Sequence, residues 1–273
     1  MSINVISSAP YFLWKGAWDT VAQDSRDMGI VVTEYPPFSR PKERVTNQTI
    51  PGRQGQLTFR EAEWPVYDQV LRTLQCYTRP GADIGAICAW LSGSGELTLG
   101  NDPDYVYDAV IINQIDFRQI MRGNSGYNDF SIPFQCQPFK RMRENQFITL
   151  TATDNAITGV VTNTGHVAVP AILTVHGRGN LWVNVTPTDR AIMTANIMGL
   201  DADDEHLGIV LDWDTGFMSH GADSLGKTDM AVLNNKVSNG PQYFYPGNNV
   251  LTAGVVGGST LNRIIVKKNW RWL

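Results

Sequence analysis

The sequence predicts a mainly β chain in two domains, the second of them a β-sandwich. Three observations lead there. After residue 146 every apolar run is short and extended, and Gly, Asn, Asp and Pro punctuate the runs at sandwich-like spacing. Before residue 140 Asp83–Leu91 reads as a helix, and it is long enough for only two turns. Between them, Lys140-Arg141-Met142-Arg143-Glu144-Asn145 raises charge and interrupts periodicity, as a domain boundary does.

The elements follow in order. Tyr11–Trp18 is aromatic-rich and extended, and Asp24–Asp27 reads as a turn. Met28–Tyr35 is β-branched and reads as a strand. Pro36, Pro37 and Pro41 forbid regular ladder pairing. Glu43–Ile50 alternates, but it is polar on both faces. A strand with two polar faces has no place in a core. It is either a solvated loop, the simpler reading, or an arm reaching another chain. Pro51-Gly52-Arg53-Gln54-Gly55 is a tight turn, and Gln56–Phe59 the next strand.

Val66–Tyr77 fits helix or strand; Thr73, Cys76, Tyr77 and Thr78 tilt it to strand. The short helix ends at Gly93 and Gly95. Trp90 and Leu91 should bury it. Glu96–Leu99 alternates like a short strand and Asn101-Asp102-Pro103-Asp104 is turn chemistry. Tyr105–Met121 reads as one long strand that turns at Arg122–Gly126 and returns as Tyr127–Phe139. Beyond the boundary the extended runs are 147–153, 157–163, 171–175, 181–185, 191–198, 208–213, 250–255 and 261–267. The apolar ending Asn269-Trp270-Arg271-Trp272-Leu273 should be docked.

Composition narrows the function classes. The 273 residues are 42% hydrophobic and need no disulfide staple. A net charge of −4 argues against general nucleic-acid binding. The three cysteines, Cys76, Cys88 and Cys136, form no CxxC pair and read as small buried hydrophobes in a reducing compartment. No segment reaches the ~18 apolar residues of a membrane span, and the N-terminus lacks a secretory pattern. Synthesis in the cytoplasm is therefore expected.

No motif commits the chain to catalysis. Gly221–Thr228 satisfies the phosphate-loop pattern G-x-x-x-x-G-K-[ST], with Lys227 as the phosphate ligand. Its flanks fit neither the strand nor the helix that such a loop needs, and Asp223 would face the phosphates. A surface loop is the better reading. Gly52-Arg53-Gln54-Gly55 matches the GxxG of an RNA-binding module without its helices. Asp201, Asp203 and Glu205 have calcium-loop spacing, but His206 replaces the required glycine. His166, His176, His206 and His220 show no ligand spacing, and no serine sits in a nucleophile elbow. Trp182, Trp213, Tyr243, Phe244, Tyr245, Trp270 and Trp272 could stack on sugars, although packing explains them more simply. No cofactor, metal or catalytic residue is expected.

Taken together, Asp27–Val32, Ile50–Leu57, Trp90-Leu91 with Gly95 and Leu97, Asp102-Pro103, Tyr107–Ala109 and Asp129–Pro138 resemble the distal tail protein of long-tailed, non-contractile bacteriophages. Gly208–Trp213, Tyr245–Asn249 and the Trp-Arg-Trp-Leu ending are similar to that family's C-terminal domain. Gln54 stands where the family turn usually has aspartate.

The resemblance implies a non-enzymatic structural protein of the phage or prophage virion. Its ring-forming N-terminal domain, residues 1–143, would be a β-sandwich with one short helix and a protruding β-hairpin arm at about 36–59. Residues 144–273 would form a galectin-like β-sandwich. It further implies a homohexameric ring at the tail tip, which joins the tail tube protein to tail-tip adhesion proteins and lets the genome pass. Neither sequence-specific nucleic-acid binding nor membrane insertion is implied. Within the arm, Arg40, Lys42, Arg44 and Arg53 are the expected subunit-interface residues. The competing reading is a carbohydrate-binding module for host adhesion through the C-terminal sandwich; a nucleotide-binding enzyme through 221–228 ranks below it.

Overall fold

The computed structural model describes residues 9–60, 65–122, 125–188, 195–200, 208–220, 237–238 and 241–273. It is mainly β with one helix, and the chain divides into two compact units, Met1–Arg143 and Glu144–Trp272.

In the first unit the strands are β1 Phe12–Gly16, β2 Gln23–Asp24, β3 Ile30–Glu34, β4 Val45–Thr49, β5 Gln56–Arg60 and β6 Val70–Thr78, and then the helix α1 Ile84–Trp90. After the helix come β7 Gly93–Leu99, β8 Asp102–Ile111, β9 Arg118–Arg122 and β10 Ser125–Met142. The main sheet is antiparallel in the order β2-β1-β7-β8-β10-β6-β3, with β9 also on β10. Alternation decides its faces: along β6, Arg72, Leu74, Cys76 and Thr78 point inward while Leu71 and Gln75 are exposed. Phe12, Trp14, Leu74, Leu97, Leu99, Ile132 and Phe134 fill the core. Asp83 caps α1 by accepting the Ala86 N–H at 3.1 Å, a contact worth about 1 kcal/mol. Ile87 and Leu91 are buried under the helix. The Trp90 ring stacks on Phe12 at 5.6 Å, and its carbonyl accepts the Trp14 indole N–H at 3.1 Å.

Two expectations need correction here. Tyr105–Met121 is not one strand: β8 ends at Ile111 and β9 begins at Arg118. One edge of β10 pairs β8 over residues 135–142 and β9 over 125–129, while β6 runs along its other edge over Asp129–Cys136. The turn placed at 101–104 is also shorter, because Leu99 already pairs Asp102. Pro103 therefore lies inside β8.

In the second unit the strands are β11 Gln146–Thr151, β12 Ile157–Asn163, β13 Val169–Pro170, β14 Ile172–Pro187, β15 Ala195–Leu200 and β16 Ile209–Asp212. They continue with β17 Phe217–His220, β18 Val237–Ser238, β19 Tyr243–Phe244 and β20 Gly247–Lys268. Several expected short runs are two long strands. The 171–175 and 181–185 runs merge into β14, and 250–255 and 261–267 into β20. The glycines that look like turns are bulges. Register shifts occur at His176/Gly177 and Arg178/Asn180, and Gly257 and Gly258 take positive φ beside them. A bulge bends a strand without ending it. One half of each long strand joins β12 and β15, the other joins β11 and β16. The bent sheet closes over Leu173, Val175, Leu181, Val183, Leu251, Ile264 and Val266 as a sandwich.

Buried amides hold the loops of this sandwich. Asn249 is fully buried. Its Nδ2 donates to the Tyr245 carbonyl at 2.8 Å and the Gly247 carbonyl at 3.0 Å, and its Oδ1 accepts the Tyr245 N–H at 2.9 Å. Asn163 binds the Phe244 carbonyl in the same way. Trp270 is buried against Phe244, so the aromatic ending is docked as expected.

Candidate functional site

Strands β4 and β5 form a separate two-stranded sheet. Val45 pairs Arg60 and Thr49 pairs Gln56, and Gly52 and Gly55 in the connection adopt φ of 80° and 82°. Only glycine takes that conformation without strain. Every residue of β4 is exposed. One face carries Val45, Asn47, Thr49, Gln56, Thr58 and Arg60; the other carries Thr46, Gln48, Leu57 and Phe59. The Thr58 hydroxyl donates to Asn47 Oδ1 across the pair at 2.7 Å. Such a hairpin buries no face, and alone it would be marginal in water. Residue pattern alone favoured a loop and the family resemblance implied an arm; the structure has a two-stranded hairpin there.

Its base is fastened. The Arg44 N–H donates to the Val66 carbonyl at 2.7 Å and the Asp68 N–H to the Lys42 carbonyl at 2.8 Å. The Tyr67 ring, 8% exposed, meets Phe139 edge-on at 5.7 Å. Arg40 lies over that ring at 5.9 Å and donates to the Tyr67 hydroxyl at 3.4 Å. Arg60 pairs with Glu43 at 2.9 Å and Arg44 with Asp68 at 3.5 Å. Lys140 is 5.9 Å from the Phe38 ring and bonds Asp102 at 2.6 Å.

The four cations expected on the arm therefore divide. Arg40, Lys42 and Arg44 sit at the base, where Arg40 and Arg44 engage Tyr67 and Asp68. Arg53 is exposed in the connection, its N–H bonded to the Ile50 carbonyl at 3.1 Å. Sequence reasoning missed Tyr67, Phe139 and Phe38. Nothing in the local sequence, Glu61-Ala62-Glu63-Trp64-Pro65-Val66-Tyr67-Asp68, singles Tyr67 out, because its partner Phe139 is distant in the chain.

The arm also differs in charge. Residues 36–60 hold five cations, Arg40, Lys42, Arg44, Arg53 and Arg60, and one acid, Glu43. The whole chain carries −4, so the remainder carries −8.

Other candidate chemistry is less supported. The 221–228 loop and the Asp201, Asp203, Glu205 spacing lie outside the described residues. Among the described residues no group of three or more His, Cys, Asp or Glu could hold a metal. No helix among them is long and apolar enough to cross a membrane. Five of the seven candidate sugar-stacking aromatics serve packing: Phe244 and Trp270 are buried, Trp213 and Trp272 pack against the core, and Trp182 lies against Gly254; Tyr243 and Tyr245 are half-buried and meet each other at 6.4 Å. Cys76 and Cys136 are buried, and burial pushes their thiols up to about 12. Cys88 is the correction, since it is exposed on α1. The helix turns only one stripe, around Ile87, to the core.

No family model and no curated protein matches the chain. Its structure is similar to that of the SPP1 Dit (gp 19.1) protein, described as a paradigm of the hub adsorption apparatus in phages infecting Gram-positive hosts. The two share 13% identity and a TM-score of 0.66, over 97% of this chain and 99% of the other. At that identity the likeness establishes a common fold, spanning both units.

Proposed function

We propose that the chain is a structural distal tail protein of a phage or prophage. In this reading its copies close a ring, a homohexamer by the family resemblance, that joins the tail tube to the tail-tip adsorption proteins and lets the genome pass. It acts without catalysis or cofactor, in the virion, after synthesis in the bacterial host. The observation that carries the reading is the β4–β5 arm. An ordered hairpin with neither face buried, fastened at its base by Tyr67 and carrying Val45, Ile50 and Phe59 in solvent, fits a subunit-interface element. Arg40, Lys42, Arg44 and Arg53 are its interface cations. The whole-length likeness to a hub adsorption protein supports the same assignment, with residues 144–273 as its galectin-like domain. The negative balance outside the arm suits a lumen that must not retain DNA.

Negative-stain imaging of the purified chain tests the proposal. Rings with a central hole are expected, alone or with the tail-tube partner. A monomer that forms no ring under either condition would contradict it.

A further inference from the structure

The connection between β1 and β2 holds a tryptophan out in solvent. Trp18 is 98% exposed, so both faces of its indole are open to water. The backbone on either side is nevertheless fixed. The Ala17 N–H donates to the Ser94 carbonyl at 2.9 Å and the Asp19 N–H to the Gly16 carbonyl at 3.0 Å. Asp19 Oδ2 accepts the Gly16 N–H at 3.0 Å. Glycine suits position 16 because a Cβ there would stand 2.9 Å from that oxygen. A pinned turn that presents a bare indole lowers the ordering cost of binding something on it.

The surroundings of the indole define the ligand's chemistry. Trp18 borders a cleft of about 640 Å³ whose lining also includes Asp19, Gln23, Met28, Trp90 and Ser92, a size suited to a small ligand. A second cleft, of about 330 Å³, includes Glu96, Asp108, Gln135 and Gln137. Ala17 and Ser94 line both, so the two form one groove. Its polar groups are carboxylates, amides and hydroxyls, and neither lining contains Lys or Arg. A phosphate-bearing polymer, nucleic acid included, needs cations there. A protein hot spot centres on apolar area depleted of charge, whereas Asp19, Glu96 and Asp108 run along this groove. A quaternary ammonium is held in an aromatic cage. Trp90 gives one face to Phe12 and Trp18 touches almost nothing, so no cage forms. The chemistry left is uncharged, with an apolar face for the indole and many hydroxyls for the acceptors. A pyranose has both.

We infer that this groove binds a neutral polysaccharide, with Trp18 as its stacking platform. The C–H face of one sugar lies on the indole. Asp19 and Gln23 accept hydrogen bonds from its hydroxyls, and Glu96, Asp108, Gln135 and Gln137 serve the sugars that follow along the groove. Bonds to carboxylates are the stronger kind. Arg141 holds Glu96 and Asp108 at 2.6 and 3.3 Å, and the Asp108 side chain stays 55% exposed. The site belongs to the first unit and uses none of the aromatics of the second. It does not depend on ring closure.

Titration of the full-length chain with neutral hexasaccharides of glucose, galactose, rhamnose and N-acetylglucosamine tests the site, read by tryptophan emission and by calorimetry. At least one is expected to bind saturably and to shift the emission. Its affinity should fall about tenfold in Trp18→Ala, as for loss of an aromatic contact, and should be largely kept in Trp18→Phe. Asp19→Asn should weaken it less, because the amide oxygen still accepts. The Trp18 variants should melt with the parent, since the side chain buries almost nothing. Dextran sulfate and duplex DNA are expected not to bind at this groove. No saturable binding of any of the sugars, or binding that Trp18→Ala leaves unchanged, would overturn the site. Binding of dextran sulfate or DNA that is lost in Trp18→Ala would overturn its assignment to a neutral ligand.

Discussion

Two hairpins of the first unit share a backbone pattern and little else. In β7–β8, Leu97 and Leu99 are fully buried, and Val106, Tyr107, Ala109 and Ile111 nearly so. In β4–β5 nothing is buried. Both close antiparallel ladders, so hydrogen bonding does not separate them. The first is held by the apolar area it removes from water. The second is held only at its base, and its apolar residues stay available to a partner. The lesson is that a strand whose faces are both polar, punctuated by glycines, need not be a loop.

The comparison is sharpened most by cutting the buried hairpin. Leu97→Ala should cost about 2–5 kcal/mol as a core cavity, read as a lower midpoint in urea. A change below that range would break the contrast. Tyr67→Ala, at the arm base, should cost on the order of 1–3 kcal/mol. It should also speed proteolysis between residues 45 and 60. Phe59→Ser on the arm should move stability by less than about 0.5 kcal/mol while weakening self-association.

A fourth prediction separates the units by pH. His176 is 4% exposed and neither ring nitrogen has a partner. Burial, with Arg263 opposite on β20, lowers its pKa below the usual value near 6.5. The fold therefore favours the neutral ring. Its contribution is fully present above about pH 6.5 and is lost as pH falls through that value towards the lower folded one. The second unit should melt earlier in mild acid, and His176→Leu should flatten that limb. Residues 36–60 contain no histidine, so arm-dependent association should not follow the same curve.

The sandwich class, the docked aromatic terminus, the short helix and the strand at 70–78 were legible in sequence because apolar runs and alternation are local; the Asp83 cap came only from the structure. The bends of β14 and β20 were not. Gly177, Gly257 and Gly258 read equally as turns or bulges, and only the cross-strand partner decides. The break at 112–117 was hidden by apolar residues on either side. The arm was legible as an anomaly, and its anchor was not: Tyr67 and Phe139 lie far apart in sequence and meet only through tertiary packing. Trp18 carried no signal of its exposure.

The central claim is that the arm contributes to assembly and little to folding. Replacing residues 45–60 with a Gly/Ser linker tests it directly, with thermal unfolding and light scattering on the same sample. The account predicts a melting midpoint within about 4 °C of the parent, the equivalent of at most 1–2 kcal/mol for a unit of this size, and loss of closed rings. Intact rings formed without the arm, or a chain that no longer folds, would contradict it.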